Sequence, residues 1–435
     1  MNWFSPVSPS TMSMVLGQVS QDPRFNSYKA ILFHDLQALR HRIQIVHEAF
    51  SIFPKTPLHT VAIKANPVVA ILQKTVEAGA GLEAASLEEV HLALSAGCPA
   101  EKVIFDSPAK SQDEIEQALR WGINLNADNA EELRRIDLCW DSTGSSPWIG
   151  LRVNPEVSAG TIAATSVATK SSKFGTPISA GLDFFVSHFQ RYPWLTGLHV
   201  HVGSQGCSLE LLVEGVKRIM QLRQEIHDQL GRNQIQRIDI GGGLPWNYHP
   251  QDQSPSPTDY VKRLQQEVPE LFQEDIQVIT EFGRAVHAGC GWAASRVEYF
   301  KSTTAEPMAV IHLGADFMLR PVYHPNSWHH ELSLFDEHGE PKQGESQPTS
   351  VAGPLCFAGD VLMRERPLPP VTVGDWLVLH DVGAYTLSMW SRHCSRAIPP
   401  VVGYQGAGDL DLLLAGETLE DVSSFWSRGI SRRIP

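Results

Sequence analysis

The chain has 435 residues, more than one typical domain holds, so we expect two domains. A net charge of −13 at pH 7 argues against a nucleic-acid-binding surface. No apolar run reaches the roughly 20 residues that a membrane-spanning helix needs. Residues 1–21 lack a basic segment followed by an apolar core, so we expect no signal peptide and a cytoplasmic protein. The six cysteines form no zinc spacing, which predicts reduced thiols and no metal site.

Eight apolar, strand-like runs alternate with helical patterns between about residues 59 and 285. Before them, residues 1–25 are predicted to be irregular, 28–33 to form a strand and 36–50 a helix. The eight runs are His59–Asn66, Gly81–Ala85, Lys102–Asp106, Ile123–Asp128, Trp148–Asn154, Thr196–Ser204, Gln236–Gly243 and Gln277–Arg284. Helices are predicted over Val68–Ala78, Leu87–Ala96, Gln112–Trp121, Leu209–Leu230 and Pro257–Leu271. Eight such units predict a closed parallel (β/α)8 barrel of the α/β class.

The pattern changes after residue 290 to short runs punctuated by turns, which predicts a mostly antiparallel β-domain. The runs include Arg296–Phe300, Ala309–Leu313, Trp376–Leu379 and Tyr385–Met389. We therefore predict an N-terminal segment over 1–27 that packs on the β-domain, a barrel over 28–290 and the β-domain over 291–435.

Polar residues fall where the predicted barrel strands end, which is where such barrels carry their chemistry. They include Lys64, Glu83, Asp106, Asp128, Arg152, His201, Asp239 and Glu281. A lysine at the end of a buried strand must reach solvent, pair with an acid or react. Burial favours the neutral amine, which is the nucleophilic form. For Lys64 taken alone, an ion-paired lysine is the commoner alternative.

Two loops with glycines follow the last two barrel strands. Ile238–Gly243 ends in three glycines, and Gly283 and Arg284 follow Glu281. Backbone N–H groups of such loops can bind a phosphate, although a tight turn explains the triple glycine alone equally well. His199 and His201 lie on one side of their strand, where a hydrogen-bonded core histidine is commoner than a catalyst, and no third metal ligand is evident. A phosphate site, a lysine and an acid on one rim describe a pyridoxal phosphate pocket.

At these residues the chain resembles the fold-type III pyridoxal-phosphate decarboxylases, the group that acts on diaminopimelate, ornithine and arginine. The resemblance covers about residues 28–405 and is closest to the diaminopimelate decarboxylases. It rests on the ordered motifs AIKAN (62–66), GLEAAS (81–86), LRVNP (151–155), SKFG (172–175), HVGSQ (201–205), DIGGG (239–243), ExGR (281–284), GPLCFAGD (353–360) and GAYTLSM (383–389). The implied barrel is alanine-racemase-like, and the implied cofactor is pyridoxal 5'-phosphate.

The resemblance also implies roles for single residues. Lys64 would bind the coenzyme covalently, Glu281 would pair with its pyridine nitrogen, and His201 would stack on its ring. The phosphate would be held by Ser204, Gly242, Gly243, Gly283, Arg284 and Tyr385. A supporting polar shell would comprise Glu83, Glu89 and Arg152. Cys356 would be the catalytic acid and would come from the other subunit, so a homodimer with shared active sites is implied.

The chain departs from the family pattern in the region that would contact the substrate side chain. Phe357 stands where the family has an acid for a distal ammonium, so we expect a substrate that lacks one. Arg320 and Tyr323 resemble a family RPALY segment that is one residue longer, and Arg320 could bind a distal carboxylate or be structural. Asp360 lies on the Phe357 loop and, with Phe357, Arg320 and Tyr323, is predicted to contact the substrate. The alternatives are an amino-acid racemase or epimerase, which Glu281 argues against, and a non-catalytic regulatory relative, which the retention of Lys64 argues against.

Overall fold

The computed structural model describes residues 3–140, 147–303, 306–406 and 408–428, and the chain divides into two compact units. The first unit comprises residues 39–247 and 251–287, with Trp3. The second comprises residues 4–38, 248–250 and those from 288 onward. None of the described helices is both long enough and apolar enough to cross a membrane.

The start of the chain forms a helix, α1 (Pro9–Gln21), so the prediction of an irregular segment was wrong. Ser8 caps the helix by accepting the N–H of Thr11, and a proline occupies the first position, where no N–H is needed. Four apolar residues at helical spacing lie in the core of the second unit: Met12, Val15, Leu16 and Val19. The abundant serines, methionines and prolines suggested a loop, but this apolar spacing determines the structure.

The predicted barrel is confirmed. After β1 (Ala30–Asp35) and α2 (Leu36–Ala49), the first unit contains eight parallel strands that close on themselves through pairing of the fourth with the fifth. These strands are β2 (Leu58–Ala62), β3 (Gly81–Ala84), β4 (Val103–Phe105), β5 (Asn124–Ala127), β6 (Ile149–Asn154), β8 (Leu195–His199), β9 (Arg237–Asp239) and β10 (Gln277–Glu281). A two-residue strand, β7 (Thr176–Pro177), pairs with β6 outside the closed ring.

The helices of the first unit alternate with its strands. They are α3 (Val69–Glu77), α4 (Leu87–Ser95), α5 (Gln112–Arg120), α6 (Ala130–Cys139), α7 (Leu182–Arg191), α8 (Leu209–Leu230), α9 (Pro257–Glu267) and the short α10 (Arg284–His287). Five of them were predicted; α6, α7 and α10 were not. Side-chain caps that accept the first free N–H groups fix where several helices begin: Ser86, Ser111, Asn129, Ser208 and Ser256.

The second unit is built on one nine-stranded sheet, and the prediction of a mostly antiparallel β-domain is confirmed. Its strands after β1 are β11 (Gly291–Lys301), β12 (Met308–Ile311), β13 (Leu332–Phe335), β14 (Gln347–Ala352), β15 (Val361–Leu368), β16 (Trp376–Leu379), β17 (Val401–Tyr404) and β18 (Asp411–Leu414). Two helices, α11 (Leu319–Tyr323) and α12 (Leu419–Trp426), belong to the same unit. β1 pairs with β11 and β17, so residues 28–38 group with this sheet, although the predicted boundary places them with the barrel.

The strand predicted over Tyr385–Met389 is not formed. Tyr385 has φ of 57°, in the left-handed region, and Leu387–Met389 is a single 3-10 turn. The hydroxyl of Thr386 donates to the carbonyl of Val382 and tightens this turn. Apolar and aromatic residues suggested a strand, but a left-handed residue at the start of the segment turns the chain away from an extended path.

Candidate active site

Lys64 and Glu83 form an ion pair at the carboxyl end of two neighbouring barrel strands. Ala62, the last residue of β2, lies opposite Glu83 of β3, and Lys64 follows in a 3-10 turn. The Nζ atom of Lys64 lies 2.6 Å from each carboxylate oxygen of Glu83. Burial raises the pKa of Glu83 to about 8, with Lys64 opposing this and Glu281 and Asp106 adding to it. The Lys64 side chain is 35% exposed, so its amine is paired and yet reachable.

His199 lies between two acids inside the barrel. Its Nδ1 atom is 3.6 Å from Oδ1 of Asp106, and its Nε2 atom is 3.5 Å from Oε2 of Glu281. Burial alone would lower the pKa of His199, but the charges of these two acids outweigh it and raise that pKa to about 9. Arg152 donates to Asp106 over 3.3 Å, as befits its predicted place in the polar shell. The centre of the barrel therefore holds a network of alternating charges.

The ionised form of Glu281 is favoured by this network. Burial would raise its pKa, but the positive charge on His199 and the contacts with His199 and His201 hold that pKa well below its usual range. Neither carboxylate oxygen has a hydrogen-bond partner among the described residues, although both are buried. A buried carboxylate without a donor is costly. A protonated nitrogen on a ligand at this mouth would provide the missing donor.

His201 lies beside the glycine loop after β9. Its Nδ1 atom accepts the N–H of Gly242 at 3.1 Å and lies 3.6 Å from Oε2 of Glu281. Burial lowers the pKa of His201, so the ring is neutral. A neutral ring at the mouth can pack against a flat ligand, which is the role predicted for it.

The loop after β9 requires glycine because its backbone runs close to its neighbours. Gly241 and Gly243 have φ of 65° and 112°. A Cβ on Gly242 would collide with the carbonyl oxygen of Glu281 and approach the ring of His201. Asp239 fixes the loop by accepting the N–H of Gly241 at 2.9 Å. Because the glycines carry no side chain that would cover it, the backbone of this loop can be approached closely by a ligand.

Arg284 and Ser204 meet beside this loop. The Nε atom of Arg284 donates to the hydroxyl of Ser204 at 3.2 Å, and Arg284 is buried at the start of α10. Gly283 precedes it, and its carbonyl accepts the N–H of His287 at 3.1 Å. A guanidinium, a hydroxyl and glycine N–H groups suit a phosphate. With the unsatisfied carboxylate of Glu281 and the amine of Lys64, this set fits pyridoxal phosphate.

Glu89 supports the lysine side of the mouth. Its Oε2 atom accepts the N–H of Ala85 at 2.7 Å, and burial raises its pKa. The residue lies in the first turn of α4, directly after β3. It therefore shapes the loop that follows Glu83.

An aromatic cluster marks the Phe357 loop in the second unit. The rings of Phe357 and Tyr323 are stacked, with centroids 6.1 Å apart and planes 9° apart. His393 meets Phe357 edge-on, with centroids 5.9 Å apart. The preceding Cys356 is an exposed free thiol. The position expected to carry an acid thus forms part of an aromatic wall.

In the same unit, Arg320 lies beside two aromatic rings and Asp360 is hydrogen-bonded to backbone N–H groups. The guanidinium carbon of Arg320 lies 4.7 Å from the ring centre of Trp328 and 4.8 Å from that of Tyr385. Asp360 is buried, and its two carboxylate oxygens accept the N–H groups of Ala315 and Leu355, each at 2.7 Å. The acid of this loop is therefore engaged by backbone.

Sequence reasoning missed the part that His199 plays in the barrel centre. It also found no third group beside the two histidines, whereas one atom each of His199, His201 and Glu281 lie within 4.8 Å of one another, close enough for a metal ion. The sequence feature that could have revealed this group is that all three residues end or follow barrel strands. The charge network described above accounts for this grouping.

Comparisons with known proteins agree with this geometry. Residues 36–288 match the family described as pyridoxal-dependent decarboxylase, pyridoxal binding domain. The diaminopimelate decarboxylase of Vibrio cholerae is 28% identical over 368 residues, 84% of each chain. The crystal structure of Helicobacter pylori diaminopimelate decarboxylase complexed with L-lysine superposes with a TM-score of 0.83 at 26% identity, covering 94% of this chain and 99% of that one. The Methanocaldococcus jannaschii enzyme in complex with L-lysine gives a TM-score of 0.84 at 25% identity, covering 95% and 94%.

The match spans more than half of the chain and includes every barrel strand. The resemblance inferred from the motifs is thereby confirmed. The chain belongs to the fold-type III pyridoxal-dependent decarboxylases, is similar to the diaminopimelate decarboxylases, and is an amino-acid decarboxylase whose cofactor is pyridoxal phosphate.

Proposed function

We propose that this enzyme removes the α-carboxylate of an amino acid whose side chain carries no free distal ammonium. The observation that carries the substrate assignment is the stacking of Phe357 on Tyr323 at the position expected to hold an acid. A phenyl ring cannot form a salt bridge. Losing a charged partner for a desolvated ammonium costs about 2–5 kcal/mol.

The barrel residues would hold the coenzyme as follows. Lys64 supplies the amine that joins it covalently, and Glu281 accepts a hydrogen bond from its ring nitrogen. His199 keeps Glu281 ionised, since its positive charge holds the pKa of that acid well below the usual range. His201 packs on the ring. The phosphate would be bound by Ser204, Gly242, Gly243, Gly283 and Arg284. Phosphate binding by Tyr385 remains a prediction from the sequence.

When bound, pyridoxal phosphate supplies an electron sink for the pair released as CO₂ departs. The ionised Glu281 favours that sink because it keeps the ring nitrogen protonated. Lys64 would be the residue that holds the coenzyme when no substrate is bound. Glu83, 2.6 Å from the Lys64 amine, would hold or accept the proton of that amine.

Protonation of Cα is assigned to Cys356, whose thiol is exposed on its loop. The resemblance places this thiol in the active site of the other subunit, so we propose a homodimer with shared active sites. Asp360, predicted to contact substrate, would act by holding the loop through Ala315 and Leu355.

The substrate side chain would be apolar, carboxylate-bearing or conjugated to a larger group. An aromatic wall of Tyr323, Phe357 and His393 suits an apolar group. Arg320, flanked by the rings of Trp328 and Tyr385, provides a cation that suits a carboxylate. The charge of Arg320 would repel a distal ammonium, and the aromatic wall offers it no anion.

A substrate panel assayed for CO₂ release tests this proposal. It compares meso-diaminopimelate, lysine and ornithine with apolar, acidic and N-acylated amino acids. We expect turnover within the second group and slow turnover of the first. Because the relatives are diaminopimelate decarboxylases, meso-diaminopimelate is the competing candidate, and its rapid turnover would refute the substrate assignment.

A further inference from the structure

A cavity of about 630 Å³ opens at the amino-terminal end of the barrel, opposite the end that carries Lys64 and Glu83. Its wall includes residues that precede or begin β2, β4, β5, β6, β9 and β10. Small-molecule sites occupy about 300–1,000 Å³, so this space is large enough for a ligand. The amino-terminal end of such barrels ordinarily serves stability, and the decarboxylation chemistry does not use it.

Basic side chains outnumber acidic ones on the wall of this cavity. His47, His59, Lys102 and Arg237 line it, together with the exposed Glu101. Burial lowers the pKa of His59 to about 3, and burial together with the charge of Lys102 lowers the pKa of His47. Both imidazoles are therefore neutral, and Lys102 and Arg237 provide the positive charge.

Arg237 is the clearest indication that this wall suits an anion. Its side chain is half-buried, and Nη1 donates to the hydroxyl of Thr196 over a long 3.4 Å. Its Nε atom is buried without a hydrogen-bond partner in the described ranges. By contrast, the buried Arg223 donates to Asp275 at 2.8 Å. A desolvated guanidinium with an unused donor favours an anionic acceptor.

Two further features define the kind of anion. His47 lines the cavity, and its Nε2 atom is buried and makes no hydrogen bond to any described residue. Apolar groups complete the wall: Pro57, Leu58, Pro147 and Trp148. The Trp148 ring lies against Gly150 and Gly197, where a Cβ would come within 3.2 and 3.4 Å of it. This tight packing fixes the ring as a rigid apolar surface.

We propose that this cavity is a second ligand site, which binds a small organic anion through Lys102 and Arg237. The anionic group, a carboxylate or a phosphate, would occupy the cationic side. An apolar body would contact Trp148 and the prolines. The site would be independent of the coenzyme and of the amino-acid substrate, since these bind at the other end of the barrel.

Calorimetric titration of the holoenzyme tests this proposal, because the bound coenzyme already fills the phosphate loops. The probes are phenyl phosphate and benzoate, which carry the two anionic groups on one ring, with phenol as the neutral counterpart. We expect saturable binding of at least one anion, with one site per chain and a Kd of about 1 mM or tighter, and none of phenol. Whichever anion binds more tightly identifies the anionic group.

The matched variants are Arg237→Gln and Arg232→Gln. Arg232 bonds to Gln234 and does not line the cavity, so its substitution should leave the affinity unchanged. Arg237→Gln should weaken binding about tenfold or more, which is 1.4 kcal/mol. Loss of the coenzyme absorbance would show that Arg237→Gln fails to fold. In that case Lys102→Gln replaces it as the cavity variant. Absence of saturable binding to the wild-type holoenzyme, or equal affinity in the cavity variant, would overturn the proposal.

Discussion

The Nε2 atom of His199 lies 3.5 Å from Oε2 of Glu281, and both side chains are fully buried in the barrel. Each residue shifts the other's protonation toward the charged form. The pKa of His199 is raised to about 9, because Asp106 and Glu281 together outweigh the burial that would lower it. Glu281 correspondingly keeps a pKa well below its ordinary value. His199, which the motifs alone did not assign to the site, thus sets the charge of the acid that should contact the coenzyme.

This relationship predicts a pH-dependent stability for the coenzyme-free protein. The folded-state pKa of His199 is above its ordinary 6.5, so its stabilisation is fully present below pH 6.5 and is lost as the pH rises through about 9. Over this window the free energy of unfolding should fall by roughly 3 kcal/mol from His199. Glu83, whose pKa is raised from 4.5 to about 8, also lowers the free energy of unfolding as the pH rises.

Comparison of wild type with His199→Asn measures the contribution of His199 together with its effect on Glu281, whereas Glu83 is common to both. The difference in unfolding free energy, measured by denaturant titration, should fall as the pH rises through about 9, where the histidine loses its proton. His338→Asn, at an exposed turn, is the control. A difference in unfolding free energy that does not change with pH would contradict the raised pKa of His199.

Replacement of Glu281 by Gln should lower kcat by about 10²–10³-fold, because the amide cannot keep the ring nitrogen protonated. Coenzyme binding should persist, since the phosphate residues and Lys64 remain. Steady-state kinetics and the coenzyme absorbance together measure both effects. Glu274→Gln, in the exposed turn before β10, should behave as wild type. If kcat is unchanged in the Glu281 variant, Glu281 is not the residue that keeps the ring nitrogen of the coenzyme protonated.

Introducing an acid at position 357 should broaden the substrate range. We expect Phe357→Glu to raise kcat/KM for meso-diaminopimelate about tenfold or more, because the carboxylate can pair with its distal ammonium. Phe357→Leu removes the ring without adding charge and should show no such gain. The same gain in both variants would mean that space, and not charge, excludes the ammonium.

Shared active sites predict complementation between two inactive variants. Lys64→Ala and Cys356→Ala should each lack activity as purified homodimers. After co-refolding in equal amounts, half of the dimers carry one of each chain, and one site in each is intact. About a quarter of the wild-type activity should therefore return. Activity that stays absent after mixing would show that Lys64 and Cys356 of the same chain work together.

The barrel could be predicted because each of its eight strands is an apolar run, such as Gln277–Glu281, and helical patterns alternate with these runs. The amino-terminal helix could also have been found, from the spacing of Met12, Val15, Leu16 and Val19. The turn at Tyr385 could not, because a left-handed backbone is unusual for a tyrosine, a residue that ordinarily favours strands.

The site was predicted only where a residue lies in a motif. Lys64, Glu83 and Glu281 lie at or just after the ends of barrel strands and were proposed from the sequence, although the direct contact of Lys64 with Glu83 depends on the register of β2 against β3. The contact of His199 with both Asp106 and Glu281 depends on three strands that are distant in sequence. Such a relationship needs the closed barrel and has no signature in any single segment.

The covalent attachment of the coenzyme is the most direct test. Borohydride reduction of the holoenzyme, followed by proteolysis and mass spectrometry, identifies the lysine that carries the coenzyme. The structure predicts the adduct on Lys64, whose amine is reachable. Lys110 is the internal comparison, since it is buried and bonded to Glu132 and two backbone carbonyls. An adduct on Lys110 or another lysine, or no adduct at all, would contradict the proposed active site.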